Sequence, residues 1–415
     1  MTTLQHITIS YNEITGIIPH YIDRLINLRT YHILNNNFYG TIPNAITKLK
    51  YLGTLNVENN EIHGTIPDNI GNLKELRHIS LSYNNMHGTI PDSIGNFSKL
   101  IRLFMSYNQF SGTLPNSIAN YANIERISVQ YNQLSGSIPN ILCNLVTLQY
   151  LRLNNNAFSG TIPECITNLT GMIQLQLDSN ELSGTIPENM NKMRRLVLFT
   201  ADANNLSGTL PDSLGRTFLL SILTFSFNNI HGTIPESVYS LPFLRVLFAV
   251  ENQLNGTISN NINTRFLQVL SLTSNHLSGT IPNKLFDTNP RLLSIDLMNN
   301  SFTGSIPIIN NTNFLTLAFN NNIELKCNLT RTFQNIDQFN ALQHFALGNI
   351  SMDEQDIIPF LNKLINKQTI ETIALNDNPN LYGAISSLKM INNETNLDTL
   401  LLNNMSLYGS LPNPS

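Results

Sequence analysis

The stretch NNFYGTIPNAITKLKYLGTLNVEN, from Asn36 to Asn59, decides the fold because it returns in recognisable form every 24 residues. Each copy opens with an Asn, carries a Gly four residues later and in most copies continues with Ile-Pro or Leu-Pro, although Ser259 interrupts the Pro column. The opening Asn recurs, with small changes of spacing only after Asn252, at Asn12, Asn36, Asn60, Asn84, Asn108, Asn132, Asn156, Asn180, Asn204, Asn228, Asn252, Asn275 and Asn300.

The apolar positions of each copy predict a short strand followed by a return segment. The residues before the Asn alternate between apolar and polar, as in a half-buried strand. Around Asn36 the apolar positions are Leu28, Tyr31, Ile33, Phe38, Ile42 and Ile46. So short a strand needs partner strands on both sides, and only stacked copies supply them. The sequence therefore predicts a solenoid.

The repeated Asn is polar among apolar neighbours. Because an amide both donates and accepts hydrogen bonds, we expect it to tie down the backbone where the chain leaves the strand, so that stacked Asn side chains form a ladder. The repeated Gly suits a tight bend or a positive φ. The repeated Pro fixes φ and donates no hydrogen bond, which suits the return on the far side of each coil.

These columns resemble a known family. The segment LVTLQYLRLNNNAFSGTIP, from Leu145 to Pro163, is similar to the plant-type leucine-rich repeat. The resemblance implies an α/β solenoid: a right-handed horseshoe or superhelix with a parallel sheet on the concave face and short helical or extended segments on the convex face. It also implies extracellular recognition, as in receptor-like proteins and kinases or secreted inhibitors, although one scaffold serves many partners.

The spacing predicts three segments. Residues 1–307 form the regular array of thirteen copies, residues 308–341 an irregular repeat with a loop around Cys327, and residues 342–415 repeats of 27 to 28 residues. The irregular segment is read as a degenerate repeat, the alternative being a hinge or an island that contacts ligand. The extra length of the last repeats is predicted to be helical, with Ser351 and Glu354 as a capping box and with Pro359 near its start.

Composition limits the function classes. Only 12% of residues are charged and the net charge is −4, which predicts neither nucleic-acid nor membrane-surface binding. The sequence shows no signal peptide and no apolar run long enough to span a membrane. Both ends interrupt a repeat, so we expect a fragment. Localisation is left open, the family resemblance implying an extracellular or membrane-associated protein.

The cysteines and the glycosylation sequons leave the compartment undecided. Cys143 and Cys165 lie one coil apart but in columns that differ by two positions, so separate thiols are favoured over a disulfide. The Cys pairs that cap extracellular family members are missing. Sequons occur about as often as chance predicts in so Asn-rich a chain, at Asn96, Asn168, Asn205, Asn255, Asn299, Asn310, Asn328, Asn349, Asn393 and Asn404.

No catalytic, cofactor or metal motif is found in the sequence. His63 and His87 share a column with His231 and are predicted to be exposed substitutions rather than metal ligands. An enzyme remains conceivable only if a catalytic domain, such as the kinase that the family often carries, lies outside this chain.

The strand positions between the core columns predict a binding face. A basic and aromatic zone comes first, then an acidic zone and then an apolar strip. The candidate partner-binding residues are His78, Arg102, Arg126, Arg152, Tyr83, Tyr107, Tyr131, Asp178, Asp202, Leu198, Ile222, Val246 and Phe248. The alternative is an ordinary sheet surface, where Tyr and β-branched residues are common and Arg residues pair with neighbouring acids.

The favoured function is non-catalytic recognition of a protein or peptide on the concave face, as the ligand-binding part of a receptor-like protein. The alternative is a soluble intracellular or structural scaffold built from the same coils, with the apolar strip used for self-association.

Overall fold

The computed structural model describes residues 3–388 and 396–411. The Asn393 sequon and the last four residues of the third predicted segment lie outside this range. The chain divides into two compact units, Met1–Ser207 and Gly208–Ser415, and each is treated by itself below. The predicted three-segment division, which follows repeat length, stays a prediction.

Each unit is built on a parallel sheet with one short strand from every coil, here called the face strands, and the predicted solenoid is confirmed. The register joins equivalent residues of successive copies, as in His78↔Arg102 and Arg102↔Arg126. In the first unit the face strands are His6–Thr8, Thr30–His32, Thr54–Asn56, His78–Ser80, Arg102–Phe104, Arg126–Ser128, Tyr150–Arg152, Gln174–Gln176 and Leu198–Thr200. In the second unit they are Ile222–Thr224, Val246–Phe248, Val269–Ser271, Ser294–Asp296, Thr316–Ala318, His344–Ala346, Thr372–Ala374 and Thr399–Leu401.

A second set of parallel strands follows the repeated Asn, and the sequence pattern did not predict it. In the first unit these strands are Thr15–Ile17, Asn37–Gly40, Glu61–Gly64, Asn85–Thr89, Gln109–Gly112, Gln133–Ser137, Ala157–Thr161, Glu181–Gly184 and Asn205–Leu206. In the second unit one sheet contains His231–Thr233, Gln253–Gly256, His276–Thr280, Ser301–Ser305, Asn322–Cys327 and Ile350–Met352, and another contains Gln355–Asp356, Leu381–Ala384 and Ser406–Tyr408.

The return segments are mostly single turns of 3₁₀-helix, and many of these start directly after the repeated Pro. The 3₁₀ turns are Ile22–Arg24, Asn44–Lys48, Ile70–Asn72, Asp92–Asn96, Asn116–Asn120, Asn140–Asn144, Glu164–Asn168, Met190–Lys192, Asp212–Arg216, Val238–Ser240, Ile336–Gln338 and Ile385–Ser387. The α-helices are Lys284–Asp287, Leu329–Thr332 and Ile358–Ile365. Pro91, with φ −71°, precedes one of the 3₁₀ turns, consistent with the fixed φ of the ring.

The core lies between the face strands and the return segments. Leu52, Leu55 and Val57 of one coil are all 0% exposed, as the alternation predicts. The repeated Gly bends the chain at the end of each second-sheet strand. Gly88, for example, has φ +80°, and a Cβ there would lie 2.8 Å from Thr65 Cγ2, so a side chain would meet both backbone strain and a clash.

The repeated Asn side chains bind the backbone of adjacent coils. Asn132 Nδ2 donates to the carbonyl oxygens of Met105 and Val129, both at 3.0 Å, and Asn132 Oδ1 accepts from the N–H of Phe110 at 2.9 Å. Equivalent contacts occur at Asn60 and Asn84. One amide therefore pairs backbone groups of two successive coils.

We expect Asn132→Ala to lower the free energy of unfolding by about 2 kcal/mol, because the Phe110 N–H loses its partner in a largely buried place. Equilibrium denaturation of the full chain measures this change. Asn123→Ala, at an exposed position before a face strand, is the matched control and should change stability by less than about 0.5 kcal/mol. Equal unfolding curves for the two variants would contradict a structural role for the amide.

The later coils differ from expectation in three places. Asn322 and Asn378 make the same kind of backbone contacts as the repeated Asn, so the pattern continues beyond Asn300. Cys327 ends a strand rather than lying in a loop, and burial raises the pKa of its thiol to about 12. Helix Ile358–Ile365 forms as predicted, but the predicted capping box does not, because Ser351 already belongs to strand Ile350–Met352.

The favoured interpretation of Cys143 and Cys165 as separate thiols is wrong. Cys143 and Cys165 form a disulfide, with their Cα atoms 5.6 Å apart. Each lies in a 3₁₀ turn, and the turns Asn140–Asn144 and Glu164–Asn168 belong to successive coils. Neighbouring coils meet here at a sequence separation of 22, so a difference of two columns does not keep these side chains apart.

Candidate functional site

In the first unit a row of basic side chains, here called the arginine row, lies at the start of the face strands. Arg102 and Arg126 are register partners, and His78 precedes them in the same row. The Arg126 guanidinium lies over the ring of Tyr150, 4.2 Å from its centroid. Within the part of the chain that the structure describes, neither Arg102 nor Arg126 forms an ion pair. Burial, together with Arg102, holds the pKa of His78 below its ordinary value, so the Arg side chains supply the charge at neutral pH.

A stack of three aromatic rings lies just past the carboxyl ends of the same strands. The ring centroids of Tyr83 and Tyr107 are 4.2 Å apart and those of Tyr107 and Tyr131 are 4.3 Å apart, with interplanar angles of 12° and 14°. Because the ring faces cover one another, the stack presents mainly ring edges and hydroxyl groups. We call these three residues the tyrosine stack.

Small side chains separate the arginine row from the tyrosine stack. Ser80, Ser82, Ser106 and Ser128 are all less than 10% exposed, with Phe104 in the position equivalent to Ser80 and Ser128. The Ser82 and Ser106 hydroxyl oxygens are 3.0 Å apart. We call these four serines, which flank the half-buried Phe104, the serine floor. The surface formed by the arginine row, the serine floor and the tyrosine stack is called the groove below.

The remaining candidates of the first unit lie in later coils. Arg152 is in register with Ser128 rather than with Arg126, and its Nη2 donates to Gln174 Oε1 at 2.8 Å. The Thr200 hydroxyl donates to the carboxylate of Asp178. Asp202 and Leu198 lie in the last coil of the unit, both half-buried. The acidic zone is therefore separate from the arginine row.

The apolar candidates of the second unit lie close together. Ile222, Val246 and Val269 are register partners. Phe248 is 36% exposed and Phe227, just beyond the neighbouring strand, is 52% exposed. These five residues form a hydrophobic patch on the face of the second unit.

The residue before each repeated Asn has a positive φ, which the sequence analysis did not predict. The residue at this position is left-handed in every described coil, with φ near +55°, including Tyr107 at 53° and Phe227 at 56°. Asn, which tolerates this conformation well, fills the position in other coils, for example Asn59 and Asn155. Bulky residues at this φ are strained, and such strain concentrates at functional positions.

We expect Phe227→Asn to raise the free energy of unfolding by about 1 kcal/mol, because Asn relieves the left-handed strain and the lost ring is half exposed. Phe227→Ala is the matched control, since Ala keeps the strain and removes the ring. Equilibrium denaturation measures the free energy of unfolding of both variants. A Phe227→Asn protein no more stable than Phe227→Ala would contradict the proposed backbone strain at this position.

Other kinds of site find little support in the described residues. His63 and His87 are exposed on the second sheet, and no group of three or more His, Cys, Asp or Glu side chains suited to a metal ion occurs in residues 3–388 and 396–411. Within the same ranges, no helix has the length and apolar character that a membrane crossing requires.

Comparison with known proteins agrees with the repeat fold described above. A leucine rich repeat family model matches residues 50–110, and a second leucine rich repeat model matches residues 3–25, 123–145, 147–169 and 266–287. The matched segments are leucine-rich repeats, and the chain resembles the ectodomains of plant receptor kinases. No curated protein shows significant similarity over its sequence.

Three solved structures illustrate the resemblance. The plant peptide hormone receptor RGFR1 in complex with RGF2 is 26% identical, with a TM-score of 0.81, and the alignment covers 100% of this chain and 76% of the receptor. A TDR receptor is 28% identical, with a TM-score of 0.87 and coverage of 99% and 70%. The Arabidopsis receptor kinase HAESA, in complex with the peptide hormone IDA and the co-receptor SERK1, is 28% identical, with a TM-score of 0.72 and coverage of 99% and 76%.

Proposed function

We propose that this chain is the non-catalytic ligand-binding part of a receptor-like protein, and that the groove of its first unit binds an extended acidic peptide or protein segment. The observation that carries the proposal is the pair Arg102 and Arg126, which are register neighbours and form no ion pair among the described residues. Guanidinium groups bind carboxylates with good geometry, and Arg and Tyr are frequent among the residues that dominate binding energy.

Both walls of the groove favour a ligand rich in hydrogen-bond acceptors. The arginine row donates from one side, while the tyrosine stack offers hydroxyl groups and the positive edges of its rings from the other. The small side chains of the floor leave room for a main chain to approach. An extended segment with carboxylates on one side meets these requirements, whereas a basic segment would be repelled by Arg102 and Arg126.

The similar solved structures support a peptide as the ligand, since RGFR1 and HAESA are described as complexes with peptide hormones. The hydrophobic patch of the second unit, with Phe227 and Phe248 exposed, would bind apolar side chains of the ligand. The Cys143–Cys165 disulfide supports folding in an oxidising compartment.

The proposal is tested by selecting binders from a display library of random 12-residue peptides on the immobilised full chain. We expect enrichment of acidic sequences, and we expect a synthetic peptide of the enriched sequence to bind with an affinity that falls as salt concentration rises. Enrichment of basic sequences, or of none, would overturn the proposal.

A self-associating scaffold is the second candidate, favoured by the exposed rings of Phe227 and Phe248. It predicts a concentration-dependent mass in light scattering that Phe227→Ser with Phe248→Ser abolishes. A mass that stays monomeric across the concentration range would exclude this candidate.

A further inference from the structure

A cleft lies on the flank of the first unit, outside the groove and ahead of the face strands. Its volume is about 630 Å³. The lining side chains come from the loops that lead into successive strands and include Arg77, Lys99, Glu125, Val146 and Arg195. These residues lie before the strands rather than on their exposed face, so the cleft is distinct from the serine floor.

The cleft carries cationic groups that the protein itself does not neutralise fully. Arg77 and Arg195 form no ion pair among the residues that the structure describes. Lys99 Nζ lies 2.7 Å from both carboxylate oxygens of Glu75, and Glu125 is the further acidic side chain of the lining. Three cations against two carboxylates leave the cleft with a net positive charge.

Gly171 leaves open space in the cleft, and its backbone conformation does not require glycine. Gly171 lies in the lining between Thr147 and Arg195. Its φ lies outside the left-handed region, and a Cβ added to it would meet nothing closer than the carbonyl oxygens of Leu148 and Val146, at 3.9 Å. Neither strain nor close packing requires glycine here, so the missing side chain contributes open space rather than stability.

We propose that this cleft is a second ligand site, which binds an oxyanion attached to a short aliphatic group. Arg195, which precedes the face strand next to that of Gly171, would bind the oxyanion through its planar donor group. Arg77 lies five strands away, roughly 24 Å along the sheet, and adds only to the positive charge of the cleft. Val146, 68% exposed and two strands from Arg195, would contact the aliphatic part. The oxyanion belongs either to a small organic anion or to an acidic side chain of the peptide proposed for the groove, and only the second source rests on the proposed function.

The test uses isothermal titration calorimetry of the full chain with hexyl sulfate and hexyl phosphate, and with hexanol as the uncharged control. We expect the anions to bind at least 10-fold more tightly than hexanol. Gly171→Gln, which fills the cleft without backbone strain, should abolish this binding. Arg195→Gln should weaken it at least 10-fold, whereas Lys192→Gln, at an exposed residue outside the cleft, should leave it unchanged.

Glu125→Gln supplies a test of sign, because removing a carboxylate from the lining should strengthen anion binding several-fold. Anions that bind no better than hexanol, or that bind equally well to the Gly171→Gln protein, would overturn the second site. The 12-residue peptide selected for the groove separates the two sources. Weaker peptide binding to Gly171→Gln assigns the oxyanion to the peptide, and unchanged peptide binding assigns it to a separate small anion. If the groove does not bind acidic peptides, the selection would instead yield no acidic sequence.

Discussion

Replacing Arg102, Arg126 and Arg152 by Glu is expected to weaken binding of the selected acidic peptide at least ~100-fold, which corresponds to about 2.7 kcal/mol. The changes at Arg102 and Arg126 remove donors that suit a carboxylate, and all three changes introduce a negative charge that repels the acidic ligand. Peptide titration followed by fluorescence anisotropy measures the loss. The corresponding Arg→Gln triple variant should lie between the wild type and the Glu variant, because it removes the attraction without adding repulsion.

The matched control carries the same change of net charge at residues away from the face strands. Lys50, Lys192 and Arg194 are exposed and lie in segments that precede the strands, so their replacement by Glu should reduce affinity only through long-range electrostatics, less than about 5-fold at physiological salt. Circular dichroism of both triple variants establishes that they fold. Equal losses of affinity in the two would place the binding surface elsewhere.

Removing the Cys143–Cys165 disulfide is expected to lower the free energy of unfolding by about 3 kcal/mol under oxidising conditions. The bond closes a loop with a sequence separation of 22, and a loop of this length restricts the unfolded chain by about that amount. The double variant Cys143→Ser with Cys165→Ser is compared with the wild type by equilibrium denaturation.

A reducing agent provides the internal control for the disulfide, since it should bring the wild type to the stability of the double variant and leave that variant unchanged. Cys327→Ser should respond to the reductant as the wild type does, because this variant keeps the Cys143–Cys165 disulfide and the buried Cys327 thiol forms none. A wild type whose stability is the same with and without reductant would show that the bond does not form in solution.

The alternation of apolar and polar residues was sufficient to predict the solenoid and its core. Leu55 and Val57 are buried because a half-buried strand places alternate residues inside, and Leu52, ahead of the strand, occupies a further core column. The repeat spacing also indicated which strand residues share a row, so Arg102 and Arg126 were expected to be neighbours. The candidate face residues remain a prediction of function, although their positions on the strands follow from the period.

Other features depended on how each coil bends after its strand, which the repeat period does not specify. The second sheet, the left-handed residue before each repeated Asn and the stacking of Tyr83 on Tyr107 all arise there. The sequence favours separate thiols for Cys143 and Cys165 because their columns differ by two positions. The backbone nevertheless joins residues at the same separation of 22 elsewhere, as where Phe110 donates to Asn132.

The sequence by itself therefore determined the repeat, the core columns and the membership of each row, because a fixed period places equivalent residues one above another. The tertiary structure alone decided which columns meet across neighbouring coils, as in the disulfide between Cys143 and Cys165. The physical reason is that contacts within a column follow from the strand register, whereas contacts between columns depend on backbone dihedral angles at the turns, where several residue types adopt the same conformation.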